Sequence, residues 1–162
     1  MNQNEKNQKR IVYQKKLKEL TGLNEIIYIS IKACCEITES SKGAILLLDE
    51  SSEYMIVKSV YNMPVEAKKF RWKFGDHPQW YQRDYFIVND LTKEASSDKD
   101  FLKLCGNRTA LVFPLKTIKK VIGSIQVYNK DCYNEEDVVI LRLFAPYIVN
   151  SYIKVKGSIN II

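Results

Sequence analysis

TALVFPLKTIKKVIGSIQVYN, residues 109–129, decides how this chain folds. Residues 109–115 and 121–129 are apolar, rich in β-branched side chains and of strand length, and the basic link Lys116–Lys120 parts them. That pattern predicts strand, tight turn, strand. The segment NEEDVVILRLFAPYIVNSYI (134–153) follows, with helical spacing throughout. Asn134 is placed to cap it, and Asp137 three residues on can complete a capping box. Glu135, Glu136 and Asp137 suit the positive end of the helix dipole. Val138, Leu141, Phe144, Ala145, Ile148, Tyr152 and Val155 form an apolar stripe, which Pro146 is expected to bend.

Upstream, GAILLLDE (43–50) and YMIVKSVY (54–61) read as a second hairpin around the turn residues 49–52. Before them lie two helical patterns. Ile11, Tyr13, Leu17 and Leu20 mark one over about 6–20, and Thr21-Gly22 breaks it. Leu23, Ile26, Ile27, Ile31, Cys34 and Ile37 mark the second, ending before Ser40. The middle, 70–106, is irregular. Residues 64–69 predict one helical turn, Asp76-His77-Pro78 a helix start, 86–90 a brief strand, and 98–105 a helix closed by Gly106.

Composition bounds the class. The 162 residues, 46% of them hydrophobic, suffice for one domain with a real core. The expected division is an N-terminal helical extension over 1–22, the main domain over 23–155 and a C-terminal tail over 156–162. No uninterrupted apolar run reaches the roughly 18 residues of a membrane span, and the lysine-rich start lacks a signal peptide's apolar core. The expectation is a cytoplasmic chain without a membrane partner. The net charge of +6 is concentrated in the first eighteen residues with no nucleic-acid recognition module beside it, so a solvated helix face is expected and no nucleic-acid partner. The four cysteines offer no C-x-x-C pair, and read as reduced, small apolar side chains.

The order helix, hairpin, irregular middle, hairpin, helix resembles that of the GAF domain family, and five segments carry the resemblance. GAILLLDE (43–50) is similar to the family's first strand and IVND (87–90) to its segment after the middle helix. GNRTALVFPL (106–115) resembles its arginine-serine strand ending in Pro-Leu, KKVIGSIQVYNK (119–130) its isoleucine-glycine strand, and YNEEDVVILRLFAPYI (133–148) its closing helix. The resemblance spans about Leu23 to Ile153. It implies an α+β fold in which an antiparallel sheet carries the N- and C-terminal helices on one face and loops with short helices over the other. It also implies a small-molecule pocket under those loops, signalling through the terminal helices, and a homodimer formed by them. Within the chain, Ile11, Leu17, Leu20, Leu141, Phe144, Ile148 and Tyr152 are the expected contact set of that dimer.

The chemistry of individual residues narrows the expectation to a non-enzyme. The family's methionine-sulfoxide reductases use cysteines in a middle segment that here, FRWKFGDHPQW (70–80), has none. One histidine, His77, permits no Ser-His-Asp triad or multi-histidine metal site, and no phosphate-cradling glycine loop occurs. Bilin attachment needs a cysteine beside the histidine, and haem ligation would rest on His77 alone. Asn129-Lys130, Tyr133 and Asp137 partly match a cyclic-nucleotide signature, and Lys130 with Asp137 could pair to pin the strand-to-helix loop. No cofactor is assigned. The segment 70–86 is unusually aromatic: Trp72, Phe74, His77, Trp80, Tyr81 and Phe86 either stack on a planar ligand or fill the space themselves. By strand alternation Thr109, Leu111 and Phe113 share one face, as do Gln126 and Tyr128. The candidate ligand-binding set is therefore those six residues with Thr109, Leu111, Phe113 and Gln126.

Overall fold

The computed structural model describes residues 1–76 and 78–161, with side chains for all of these except 78, 79 and 158–161. Helices α1 (Gln3–Glu19) and α2 (Leu23–Thr38) lead into strands β1 (Lys42–Leu48) and β2 (Tyr54–Tyr61). The middle contains a 3-10 turn (Val65–Lys69), β3 (Arg71–Lys73), α3 (Pro78–Tyr81), β4 (Phe86–Val88) and α4 (Lys99–Cys105). Strands β5 (Ala110–Lys116) and β6 (Val121–Tyr128) precede α5 (Glu135–Ile161). The strands form one antiparallel sheet in the order β3-β2-β1-β6-β5-β4.

Both predicted hairpins form, and they join through β1 and β6, paired from Lys42↔Tyr128 to Leu47↔Gly123. Gly123 makes that seam possible: a Cβ there would lie 2.3 Å from the Leu46 carbonyl oxygen. The first turn is tied by Asp49, whose Oδ1 accepts from Ser51 Oγ and from the backbone N–H of Glu53 and Tyr54. In the second, Thr117 Oγ1 accepts from the N–H groups of Lys119 and Lys120.

Alternation sorts the sheet into two faces. Ile45, Leu47, Leu111, Phe113, Leu115, Ile125 and Val127 point to one side, where α2 and α5 bring Ile26, Ile31, Leu141, Phe144 and Ile148 into a continuous core. Ala44, Leu46, Met55, Val57, Ala110, Val112 and Tyr128 point to the other, beneath the middle segment. This is the expected arrangement, with the terminal helices on one face and loops and short helices on the other.

Two expectations about the helices are adjusted. Of the apolar residues that mark the first helix, Leu17 is buried and Tyr13 and Leu20 pack against the core, but Ile11 faces outward. Gln14 and Leu17 are buried, whereas Ile11 is 43% exposed. The helix is held by Leu17 and by polar contacts to α2, including Lys9–Glu36 at 3.5 Å, Lys6–Glu39 at 3.2 Å and a bond from the Tyr13 hydroxyl to Glu36. Likewise α5 is long and apolar enough to cross a membrane by length and composition, with mean hydropathy 1.4 over an 18-residue window within Glu135–Gly157. Its charged residues, such as Arg142, break the run in sequence, but not the average. Its inner face, from Val138 to Ile148, is already committed to the core.

Asn134 caps α5 as predicted, its Oδ1 accepting from the N–H of Glu136 at 3.0 Å. Asp137 closes the box by accepting from Asn134 N–H at 3.1 Å, and it pairs with Lys130 at 2.7 Å. The adjacent Tyr133 hydroxyl joins Ser40 at 2.7 Å, so the β6–α5 loop is anchored to the end of α2.

A candidate ligand cavity beneath the middle segment

The side of the sheet away from the long helices is roofed by aromatic residues around a cavity, and its floor is β6. Ser124, Gln126 and Tyr128 alternate with Ile125 and Val127, so this central strand shows polar groups to one layer and apolar groups to the other. The Tyr128 hydroxyl donates to Gln126 Oε1, and Gln126 Nε2 lies 3.4 Å from Ser124 Oγ. Burial pushes the phenol of Tyr128 well up and that of Tyr81 up to about 12, the latter opposed by hydrogen bonds from Ser124 and Gln126. Both stay neutral around pH 7.

The walls come from three segments. Trp72 projects from β3, which pairs with β2 at the sheet edge, and Trp80 and Tyr81 come from the single turn α3. Leu91, the loop residues Ser96, Ser97 and Asp98, and Phe101 and Leu102 of α4 close the other side, with Asn107 at the entrance to β5. Asp98 has two tasks: its Oδ1 caps α4 by accepting from Asp100 and Phe101 N–H, and its Oδ2 accepts from Trp72 Nε1 at 2.9 Å. Trp80 Nε1 donates to Ser96 Oγ at 2.7 Å. Trp72 also meets Phe101 edge to face, with ring centroids 5.1 Å apart. The space so enclosed offers about 50 Å³ to the centres of water molecules.

Four of the ten residues predicted to bind a ligand line this cavity: Trp72, Trp80, Tyr81 and Gln126. Phe74 and Phe86 stand behind them, packed on Tyr81 and Trp80 with centroids 5.3 Å apart in each pair. Thr109 is buried but does not line the cavity, and its hydroxyl donates to the Lys130 carbonyl at 2.6 Å. His77 lies outside the described residues. Leu111 and Phe113 are corrected: both face the helical layer. The register pairs Ala110 with Tyr128 and Val112 with Gln126, and directly opposed residues share a face. Leu111 and Phe113 therefore cannot join Gln126. Leu91, Asn107 and the 96–98 loop were missed because irregular backbone has no period to read.

Other chemistry is sparse. Among the described residues no group of three or more His, Cys, Asp or Glu side chains could hold a metal. Cys34 and Cys35 are buried in α2, where burial pushes their thiols up, a poor setting for a nucleophile. Cys132 is exposed.

Comparison with known proteins agrees with this architecture. A family model for the GAF domain matches residues 21–150, and the chain belongs to that family. Its fold is similar to that of the GAF domain from a phosphoenolpyruvate-protein phosphotransferase of Coxiella burnetii, with TM-score 0.84, 12% identity, and coverage of 98% of this chain and 99% of that one. The corresponding GAF domain from Acinetobacter gives TM-score 0.75 at 18% identity, covering 97% of each chain. The free methionine-R-sulfoxide reductase of Neisseria meningitidis gives TM-score 0.72 at 14% identity, covering 90% and 87%. At these identities the likeness is one of fold. No curated protein sequence matches the chain.

Proposed function

We propose that this chain is a non-catalytic sensory GAF module, cytoplasmic, that holds a small molecule between the sheet and segment 70–106 and passes its occupancy to the terminal helices. One observation carries the reading. Both tryptophans of the chain, from separate segments, converge on a cavity whose floor is the polar side of a central strand. A central strand gains nothing in stability from a row of buried polar groups, whereas a ligand site needs a few convergent ones among apolar walls. Transmission has a physical route, since Ile125 and Val127 on the reverse of that floor belong to the same core as Leu141 and Phe144 of α5.

A thermal-shift screen against pooled metabolites tests this. A saturable rise in Tm that Trp80→Ala removes is the expected outcome. No shift from any pool, with nothing bound in native mass spectra of the purified chain, would overturn it.

A ligand-free dimerisation module is the second reading, and the outer surface of α5 favours it. Val139, Leu143 and Ile153 are each nearly half exposed along one stripe, with Ile11 and Val12 exposed on α1. Of the contact set expected from sequence, Ile11 stays exposed, whereas Leu17, Leu141, Phe144 and Ile148 are consumed by the chain's own core. Sedimentation at micromolar concentration discriminates: a dimer that Leu143→Glu dissociates supports the reading, and a monomer ends it.

A further inference from the structure

We propose that the cavity selects an uncharged planar molecule carrying a hydrogen-bond donor beside an acceptor on one edge, such as a free nucleobase, lactam or aromatic carboxamide, and that Asn107 reads that edge. The inference rests on the reading of the cavity as a ligand site and specifies its ligand.

Asn107 is 3% exposed, yet neither its Oδ1 nor its Nδ2 has a hydrogen-bond partner. Buried amides are rarely left so. The backbone on either side of it is tied down: Asn129 Oδ1 accepts from Arg108 N–H at 2.7 Å, and Asn129 Nδ2 donates to the Gly106 carbonyl at 3.0 Å. The chain is thus tied on both sides of Asn107, a lining residue of the cavity whose amide is buried and unpaired. Ser97 Oγ, also a lining residue, is likewise buried without a partner. The neighbouring polar groups are engaged with one another, Trp72 with Asp98, Trp80 with Ser96 and Tyr128 with Gln126. What remains open is one planar donor–acceptor pair and one hydroxyl.

That remainder defines a chemistry. A primary amide offers N–H and C=O side by side in a plane, and it binds in two-point fashion to an edge that offers the reverse, as asparagine does with adenine. The flat walls of Trp72, Trp80 and Phe101 suit an aromatic ring. Among the described residues no lysine, arginine or histidine lines the cavity, and the one formal charge there is the Asp98 carboxylate. A phosphate or carboxylate entering would be desolvated beside a like charge and find no cation. Intact nucleotides therefore fit poorly, and their bases fit well.

Size adds a condition. The space of about 50 Å³ holds a few waters, whereas a cavity of about 150 Å³ admits benzene. A ring enters only if the wall gives way. Ser96 and Asp98 hold both indoles, so the 94–98 loop and the two tryptophans must shift together, and indole emission reports the event.

The test is a titration of tryptophan fluorescence in the full chain with adenine, guanine, uracil and nicotinamide, alongside AMP and cyclic AMP. Saturable change with at least one neutral heterocycle, with its phosphorylated counterpart at least tenfold weaker, is expected. Asn107→Leu should weaken that binding at least tenfold. Should it not fold, Asn107→Asp, which keeps the shape and removes the donor, serves instead with the same expectation. Equal affinity for nucleotides, or full binding by a folded Asn107 variant, would overturn the proposed ligand class while leaving the cavity a ligand site. Silence from every probe, with a crystal structure showing only waters on Asn107, would overturn the class. If the metabolite pools are silent too, the ligand-site reading falls with it.

Discussion

The two faces of one sheet are built to different ends. Toward the helices, Ile, Leu, Val and Phe interlock between α2, α5 and the strands, and the hydroxyls buried on α2 are answered locally: Ser30 by the Ile26 carbonyl and Thr38 by that of Cys34, each at 2.7 Å; the unpaired polar atoms on that side, Asn7 Oδ1, Arg10 Nε and Gln14 Nε2, all belong to α1. Toward the middle segment, aromatic rings stand off the sheet around a gap, and Asn107 and Ser97 are left unanswered. The same strand, β6, serves both, with Ile125 and Val127 for one face and Ser124, Gln126 and Tyr128 for the other. Stability is concentrated where the packing is continuous, which leaves the opposite layer free to hold polar groups at some cost.

The strongest way to break this contrast is to open the helical side. Phe144 on α5 is fully buried. Phe144→Ala should cost about 3–5 kcal/mol, the lost transfer energy plus the cavity left behind. Urea unfolding measures it. A loss under about 1 kcal/mol would mean that the helical layer does not hold the fold together.

Next comes the seam between the hairpins. With a Cβ at Gly123 only 2.3 Å from Leu46 O, any side chain there must push β1 and β6 apart. Gly123→Val should cost about 2–3 kcal/mol by overpacking against backbone that cannot turn away. An unchanged urea midpoint would show that the seam already has slack.

The β6–α5 loop ranks third. Asp137 is 2% exposed and both pairs with Lys130 and caps the helix. Asp137→Ala leaves Lys130 without its partner and Asn134 N–H without its acceptor. Because Lys130 is partly solvated, the expected loss is about 2 kcal/mol rather than the larger figure for a fully buried pair. Thermal unfolding at matched salt provides the measurement, and a wild-type Tm would show that solvent replaces both contacts.

The contrast between faces was only half visible in the sequence. Long periodic runs gave α2, α5 and the four principal strands, because burial on one side writes alternation or a stripe into them. Strand β3 was hidden: three residues, two of them cationic, are too few for a period. On α1 the apolar spacing found Leu17 but misplaced Ile11, since polar Asn7, Arg10 and Gln14 turn inward beside Leu17 and ion pairs to α2 add to the hold. Of the cavity floor, strand alternation picked out Gln126 and put Tyr128 on its face, because side chains two apart share one side of a strand. Which β5 residues share that face was not legible, since it depends on the hairpin register, and one step of slip reverses every side chain. The irregular shift between Leu115 and Lys116 puts that step beyond reach of pattern reading.

Asn107→Leu makes the smallest expected change and asks the sharpest question of the comparison, because its sign is opposite to the others. A buried amide without partners contributes only its desolvation penalty, which is about 1–3 kcal/mol when nothing compensates it. Replacing it by a side chain of similar size and no polarity removes that penalty and partly fills the space among Trp80, Phe101 and Leu102. A stability gain of about 1 kcal/mol is expected, less than the full penalty because the branched side chain must settle among aromatic walls. Read from urea midpoints, a gain would mean that the cavity face gives up stability to keep an amide available. A loss of similar size would mean that water already answers Asn107, and the two faces would then differ in composition but not in how well they are satisfied.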